Sequence, residues 1–140
     1  MSTALIRRKV RNYFSKKTEI LSVYLYGSQA SGALRKDSDV DIAIVLKPGR
    51  SLQTFSRELR YRSDLEDILK KDVDVVILND ADLFLVLQLF SKGIPIYQAN
   101  RIQADTLKWH LIQQAWDFMP VKRVFDDAAI HRLQHGYLAS

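Results

Sequence analysis

The stretch LSVYLYGSQASGALRKDSDVDIAIVL, residues 21–46, decides the fold of this 140-residue chain. Its first six residues alternate between aliphatic side chains and Ser or Tyr, which is typical of a strand with two different faces. Gly27 and Ser28 predict a turn that ends this strand. A second apolar run, residues 40–46, is rich in β-branched side chains and predicts a strand that is mostly buried.

Two carboxylates open the second strand. Because alternate side chains share a face, Asp39 and Asp41 should project together, with Cα atoms roughly 6 to 7 Å apart. Buried anions need a cation or a metal nearby, and oxygen ligands favour Mg²⁺ or Mn²⁺. Gly27 lets the backbone approach a ligand, and the Ser28 hydroxyl suits phosphate oxygens. These residues predict two-metal chemistry on a nucleotide; the alternative is an ordinary turn followed by exposed acids.

The motif in this stretch consists of Gly27-Ser28, ten intervening residues and then Asp39-Val40-Asp41. It resembles the signature of the DNA polymerase β-like nucleotidyltransferase superfamily. The resemblance implies an α+β fold of α/β type, in which helices flank a small mixed sheet of about four strands. It also implies that the Gly-Ser turn holds the triphosphate of ATP and that Asp39 and Asp41 hold two Mg²⁺ ions, with Mn²⁺ as a substitute.

A third carboxylate follows from the same resemblance. The run Val73–Leu78 predicts a strand in which Asp74 lies opposite Val73 and Val75, and the family places a metal-binding Asp on such a strand. Asp72 is the second candidate, and an edge-strand Asp that faces solvent is the alternative.

Arg35 and Lys36 stand just before the carboxylates and could neutralise the charge of the nucleotide. An exposed basic turn explains them equally well.

Within the superfamily, the short chain and the residues GSQASGALRKDSDVDIAIVL look most like the minimal nucleotidyltransferases, the MNT antitoxins encoded beside HEPN-domain RNase toxins. The resemblance implies that AMP is transferred from ATP to a tyrosine hydroxyl of a cognate HEPN toxin, which is thereby neutralised, and that the two proteins form a hetero-oligomer. Two alternatives are an antitoxin that acts by binding alone and a nucleotidyltransferase that modifies a small molecule such as an antibiotic.

Composition limits the other possibilities. The length predicts a single domain, with a catalytic unit in residues 1–98 and a helical extension in residues 99–140. The chain has no cysteine, which excludes thiolate catalysis and cysteine-bound metals. We expect a cytoplasmic protein, because no signal or membrane-spanning segment is evident. Residues 1–70 contain 14 Lys and Arg against 8 Asp and Glu; this excess suits nucleotides, whereas direct binding of nucleic acid is possible but not favoured.

Hydrophobic periodicity predicts the remaining elements. We expect helices over residues 3–17, over residues 51–70 with Ser51 as the cap, and over residues 81–92 with Asn79 or Asp80 as the cap. Pro95 predicts an edge position for a strand at residues 94–97. Pro120 should separate two C-terminal helices, 101–118 and 121–135. Their aromatic residues could anchor a partner or pack against the domain; they are Trp109, Trp116, Phe118 and Tyr137.

Overall fold

A computed structural model describes residues 2–27, 39–49 and 51–134, with side chains as far as residue 117. In these ranges the chain forms four α-helices and four strands, which confirms the predicted α+β class with a small mixed sheet. In chain order they are α1 (Thr3–Ser15), β1 (Ile20–Tyr26), β2 (Val40–Leu46), α2 (Thr54–Leu69), β3 (Val73–Ile77), α3 (Leu83–Lys92), β4 (Ile94–Gln98) and α4 (Arg101–Gln134).

The sheet has the strand order β3-β2-β1-β4. β1 is antiparallel to both β2 and β4, whereas β2 and β3 are parallel. The last residues of β1 pair with the first residues of β2, and the first residues of β2 pair with the first residues of β3. Tyr26, Val40 and Val73 therefore lie at the same end of the sheet. We call this the carboxylate end of the sheet.

Helices cover both faces of the sheet. α1 and α2 pack on the face formed by Val23, Ile42 and Val75, whereas α3 and the first part of α4 pack on the face formed by Tyr24, Ala43 and Val45. Since β2 lies between two neighbours and under helices on both sides, its residues are buried, with the exception of Asp41.

A polar network joins α1 to α2. The Tyr13 hydroxyl donates to Asp64 at 2.5 Å, and the Tyr61 hydroxyl donates to Glu19 at 2.6 Å. Arg57 forms an ion pair with the same Glu19 at 3.3 Å. These contacts satisfy polar groups beside the buried aromatic core, where an unpaired group would be costly.

Two predicted helix starts are wrong. α2 begins at Thr54 after Gln53, which has φ 41°, and not at a Ser51 cap. α3 is capped by Asp82, whose side chain accepts from the backbone of Phe84 and Leu85, and not by Asn79 or Asp80.

Asn79 has another role, which explains why it does not cap α3. It donates to and accepts from the backbone of Leu46 and so continues the pairing of β2 beyond the end of β3.

The predicted break at Pro120 is also wrong, because α4 continues from Arg101 to Gln134 as one helix of 34 residues. A proline in a helix interior removes one hydrogen bond and costs about 3 kcal/mol, which a helix of this length can absorb because its other turns stay bonded. At 1.5 Å per residue, α4 is about 50 Å long, more than twice the length of any strand of the sheet. No helix of the described part has the length and apolar composition needed to cross a membrane.

Strand β4 confirms the prediction of an edge strand, since it pairs only with β1 in the described sheet and carries Pro95. Gly93, which precedes it, adopts an extended conformation. A Cβ at this position would lie 2.6 Å from the carbonyl oxygen of Leu89 and 3.3 Å from the Cβ of Tyr24. Gly93 is therefore required for the close approach of the α3 terminus to β1.

Phe14→Ala should lower the free energy of unfolding by about 3–5 kcal/mol, because Phe14 is fully buried and packs edge-to-face on Tyr61 with ring centroids 5.4 Å apart. Phe55 on α2 is 76% exposed and provides a matched control. Phe55→Ala should change stability by no more than about 0.5 kcal/mol. Urea denaturation followed by circular dichroism measures both, and equal losses would contradict the assignment of the core.

Candidate active site

Gly27 follows the last residue of β1 in a left-handed conformation, with φ 71°. A side chain here would meet the carboxylate of Asp41, since a Cβ built at Gly27 overlaps Oδ2 of that residue. Glycine is thus required at position 27 for two reasons: the positive φ angle, and the space that the Asp41 carboxylate occupies. The sequence-based expectation that Gly27 lets the backbone approach a ligand stays a prediction.

Strand register places three polar side chains in a row. Tyr26 of β1 is paired with Asp41 of β2, and Asp41 is paired with Asp74 of β3. Paired residues of adjacent strands project from the same face of a sheet. Asp39 precedes β2 by one residue, at the same end of the sheet. The structure therefore brings the three predicted carboxylates together at the carboxylate end.

The three carboxyl groups differ in exposure. Asp41 is half-buried, whereas Asp39 is exposed and the side chain of Asp74 is 63% exposed. Burial raises the pKa of Asp41, and the negative charges of Asp74 and then Asp39 raise it further. A cation bound here would offset both effects, because it stabilises the ionised carboxylates that repel one another.

The donors suit a hard divalent ion such as Mg²⁺, since all of them are carboxylate oxygens. As the side chains stand, no group of three or more His, Cys, Asp or Glu in the described ranges is arranged to hold a metal ion. Asp74 instead has one carboxylate oxygen 3.8 Å from a guanidinium nitrogen of Arg62, which belongs to α2. Joint coordination with Asp39 and Asp41 requires the Asp74 side chain to turn away from Arg62.

Tyr26 and Arg62 border the carboxylates and were not predicted as site residues. Burial, and then the charges of Asp41, Asp74 and Glu58, raise the pKa of Tyr26 to about 12, so the phenol is protonated at neutral pH. The alternation along β1, together with the adjacency to Gly27, could have identified Tyr26. No local signal could have identified Arg62, because its position depends on how α2 packs beside β3.

The other predicted site residues have different outcomes. Ser28, Arg35 and Lys36 fall in residues 28–38, outside the described residues, so their roles stay predictions. Asp72 is exposed and precedes β3, and its carbonyl oxygen accepts from the backbone N–H of Val40 at 3.0 Å. Its main chain therefore contributes to the pairing of β2 and β3. Asp74, by contrast, is the residue that pairs with Asp41.

Gly27→Ala should destabilise the protein more than Gly49→Ala. Both glycines have positive φ, 71° and 82°, and alanine in this region costs about 1–2 kcal/mol. Only Gly27 faces Asp41, whereas an added Cβ at Gly49 meets nothing within 4 Å, so overpacking should add at least about 1 kcal/mol at Gly27.

A double-mutant cycle in urea denaturation isolates this contact. In an Asp41→Ala background, which removes the carboxylate, Gly27→Ala should cost no more than Gly49→Ala. An unchanged excess cost at Gly27 in that background would show that Asp41 does not occupy this space.

Comparison with known proteins agrees with this geometry. A family model described as polymerase beta nucleotidyltransferase matches residues 8–102, which extend from α1 to the start of α4. Spectinomycin 9-adenylyltransferase of Campylobacter jejuni is 35% identical over 69 residues, which are 46% of this chain and 27% of that enzyme. The chain thus matches only about a quarter of the length of this relative.

Solved structures share the fold over most of the chain. A chain from a toxin–antitoxin crystal structure with AMP-PNP has a TM-score of 0.76 and 19% identity, and the match covers 89% of this chain and 98% of the other. A chain from the complex of a tri-AMPylated HEPN toxin of Shewanella oneidensis with its MNT antitoxin has a TM-score of 0.72 and 18% identity, with coverage of 91% and 98%. At these identities the likeness shows the fold. Together with the family model, it shows that the chain belongs to the polymerase beta nucleotidyltransferase family.

Proposed function

We propose that this chain is a magnesium-dependent protein adenylyltransferase that transfers AMP from ATP to a tyrosine hydroxyl of a HEPN-domain toxin and so neutralises it. The observation that carries the proposal is the alignment of Asp41 with Asp74, with Asp39 beside them, at the carboxylate end of a nucleotidyltransferase fold. Further support comes from the shared fold, because one similar structure contains AMP-PNP and another contains a tri-AMPylated toxin.

In the proposed reaction, the tyrosine oxygen attacks the α-phosphorus of ATP. The new bond joins that oxygen to phosphorus, the bond between the α-phosphorus and its bridging oxygen to the β-phosphate breaks, and pyrophosphate leaves while the hydroxyl proton passes to solvent. Divalent ions, when bound, would neutralise the phosphate charges and acidify the attacking hydroxyl.

The residues of this chain have separate roles in that scheme. Asp39 and Asp41 would hold the ions between the protein and the triphosphate, and Asp74 would hold the ion nearest the attacking oxygen. Gly27 leaves room for the Asp41 carboxylate. Ser28 and the adjacent backbone would bind the β- and γ-phosphates, and Arg35 and Lys36 would neutralise their charge.

A second candidate function is adenylylation of a small molecule. The sequence identity with a spectinomycin adenylyltransferase favours it, since that similarity exceeds the identity with the toxin–antitoxin structures. The match nevertheless spans only 27% of that enzyme, whereas this chain aligns with nearly the whole of the toxin–antitoxin chains. A protein acceptor is therefore the stronger proposal.

Neutralisation by binding alone is the third candidate. It gives no reason for three acids to stand together on one face, where burial and mutual repulsion raise the pKa of Asp41. Such an arrangement costs stability unless a bound cation offsets it. The carboxylates thus favour an enzyme over a binding module.

Incubation with a HEPN protein encoded beside this gene, Mg²⁺ and ATP should add one or more AMP units to that protein, which intact-mass spectrometry measures. Parallel reactions with the other nucleoside triphosphates test the choice of base, and a reaction with spectinomycin tests the small-molecule candidate. A modified antibiotic beside an unmodified HEPN protein would overturn the proposal.

Asp41→Asn should lower the rate of transfer by at least about 100-fold, because removal of one preorganised charge from an active site has effects of this size. Without metal, the variant should be at least as stable as the wild type, since repulsion from Asp74 and Asp39 is relieved. The matched control is Asp105→Asn on α4, which removes an acid whose side chain is 50% exposed and whose ion pair with Arg101 is 4.0 Å long. Transfer at the wild-type rate by Asp41→Asn would contradict the role of Asp41.

Asp74→Asn and Asp72→Asn together identify the third carboxylate. Only Asp74 is paired with Asp41, so Asp74→Asn should reduce transfer by at least about 100-fold, whereas Asp72→Asn, which keeps the main-chain contact with Val40, should leave the rate within about twofold. The reverse pattern in the same mass assay would assign the role to Asp72.

A further inference from the structure

An apolar groove of about 780 Å³ lies between α3 and α4. From α4, the groove is lined by Trp109, Ile112 and Trp116, whose spacing of three and four residues places them on one side of the helix. From α3, it is lined by Leu87 and Phe90, among others. The two helices thus form the walls of a surface that is separate from the carboxylates.

The two tryptophans are unusually exposed, at 67% for Trp109 and 66% for Trp116. They are not needed to attach α4 to the sheet, because the buried residues within positions 101–117 of that helix are Ala104, Leu111 and Ala115. A tryptophan can bury about 150–250 Å² of surface. An uncovered apolar patch that contains two of them is typical of a protein–protein contact, in which tryptophans dominate the binding energy.

The charged residues in the described lining of this groove have one sign. Among the side chains that the structure describes, Lys92 and Lys108 belong to the lining, and no acid does. Lys108 holds its ammonium 5.6 Å from the centre of the Phe90 ring, at the boundary between the apolar floor and solvent. An occupant with carboxylates beside an apolar face would complement these two lysines.

The groove also adjoins the carboxylate end of the sheet. α3 ends at Lys92, and the next residue, Gly93, lies close to the Cβ of Tyr24 and the carbonyl oxygen of Leu25. Leu25 is two residues before Gly27 in β1. A protein in the groove would therefore extend past the carboxylate end, where the acceptor hydroxyl must reach.

We infer that this groove binds an amphipathic helix of the HEPN protein, with the apolar face of that helix on Trp109 and Trp116 and its carboxylates toward Lys92 and Lys108. The inference rests on the proposed function, because it names the surface that holds the acceptor protein. A helix is the occupant that a groove between two helices accommodates, with anchors repeated every three or four residues.

The tryptophans themselves provide the probe, since these two are the only ones in the 140 residues. With 5-fluorotryptophan in this chain alone, the ¹⁹F spectrum contains two resonances, one from Trp109 and one from Trp116, both on the α4 wall of the groove. Titration with the unlabelled HEPN protein encoded beside the gene should shift both resonances and protect both residues from a soluble quencher.

Isothermal titration calorimetry measures how substitutions in the groove change the affinity of this chain for the HEPN protein. Trp109→Ala and Trp116→Ala should each weaken binding at least about 30-fold, the effect expected of an interface hot spot. Lys108→Glu should weaken it at least about tenfold, with the larger effect at low salt. Phe55→Ala is the matched control, because Phe55 is 76% exposed on α2, and affinity should stay within about twofold.

The outcomes separate this inference from the proposed function. A complex that still transfers AMP while neither resonance shifts would overturn the docking site and leave the transferase proposal intact. Shifted resonances without transfer would support the docking site and overturn the transferase. If neither complex nor transfer is found, both fall. Resonances that shift with the concentration of this chain alone would indicate a second copy in the groove and overturn the inference.

Discussion

The hydrogen-bonded register of β1, β2 and β3 is the constraint on which the rest of the structure depends. It places Tyr26 opposite Asp41 and Asp41 opposite Asp74, so that acids from two separate segments meet on one face. A slip of one residue in β2 would turn Asp41 into the core beneath α1 and α2 and expose Ile42 or Val40 on the other side. The apolar residues of β2 therefore fix the position of the catalytic candidates.

The same register concentrates negative charge around Asp41, which is the least exposed of the three carboxylates. Asp41 lies on a central strand whose other residues are buried, and the pKa of its carboxyl group is raised by burial and by its two acidic neighbours. Gly27 makes this arrangement possible because it leaves the space that the carboxylate occupies. Arg62 provides partial compensation from α2, although only toward Asp74. The unfavourable electrostatics are those of a site that gains stability when a cation binds.

Helix α4 has one side that packs in the core and another that stays exposed. Its first part completes the core over β1, with Ala104 and Leu111 buried, while the same turns carry Trp109 and Trp116 outward. Within the described side chains of α4, the two exposed tryptophans therefore provide surface that the core does not use. The family model ends near the start of this helix, at residue 102. The family match thus covers the sheet and α3, whereas the two tryptophans of the proposed docking groove come from the helix that follows.

Much of the fold was predictable because hydrophobic periodicity is a local property. The strands around Gly27 and Asp41 and the existence of the helices were found in this way, whereas Pro95 predicted the edge strand and the family resemblance implied that helices flank the sheet. Helix boundaries were less reliable, because a cap depends on which polar side chain is free to turn inward. Asn79 is engaged with Leu46, so Asp82 caps α3 instead, and the penalty of Pro120 is not enough to end α4.

The sequence by itself determined that Asp39 and Asp41 share a face, since their spacing within a strand follows from the geometry of any β-strand, and from this it predicted the chemistry of the candidate site. It also favoured Asp74 through the family signature. Only the tertiary structure decided that Asp74 pairs with Asp41, that Arg62 reaches Asp74 and that the tryptophans of α4 stay exposed beside α3. These three features depend on the packing of segments that are distant in the sequence, and no local pattern records how such segments meet.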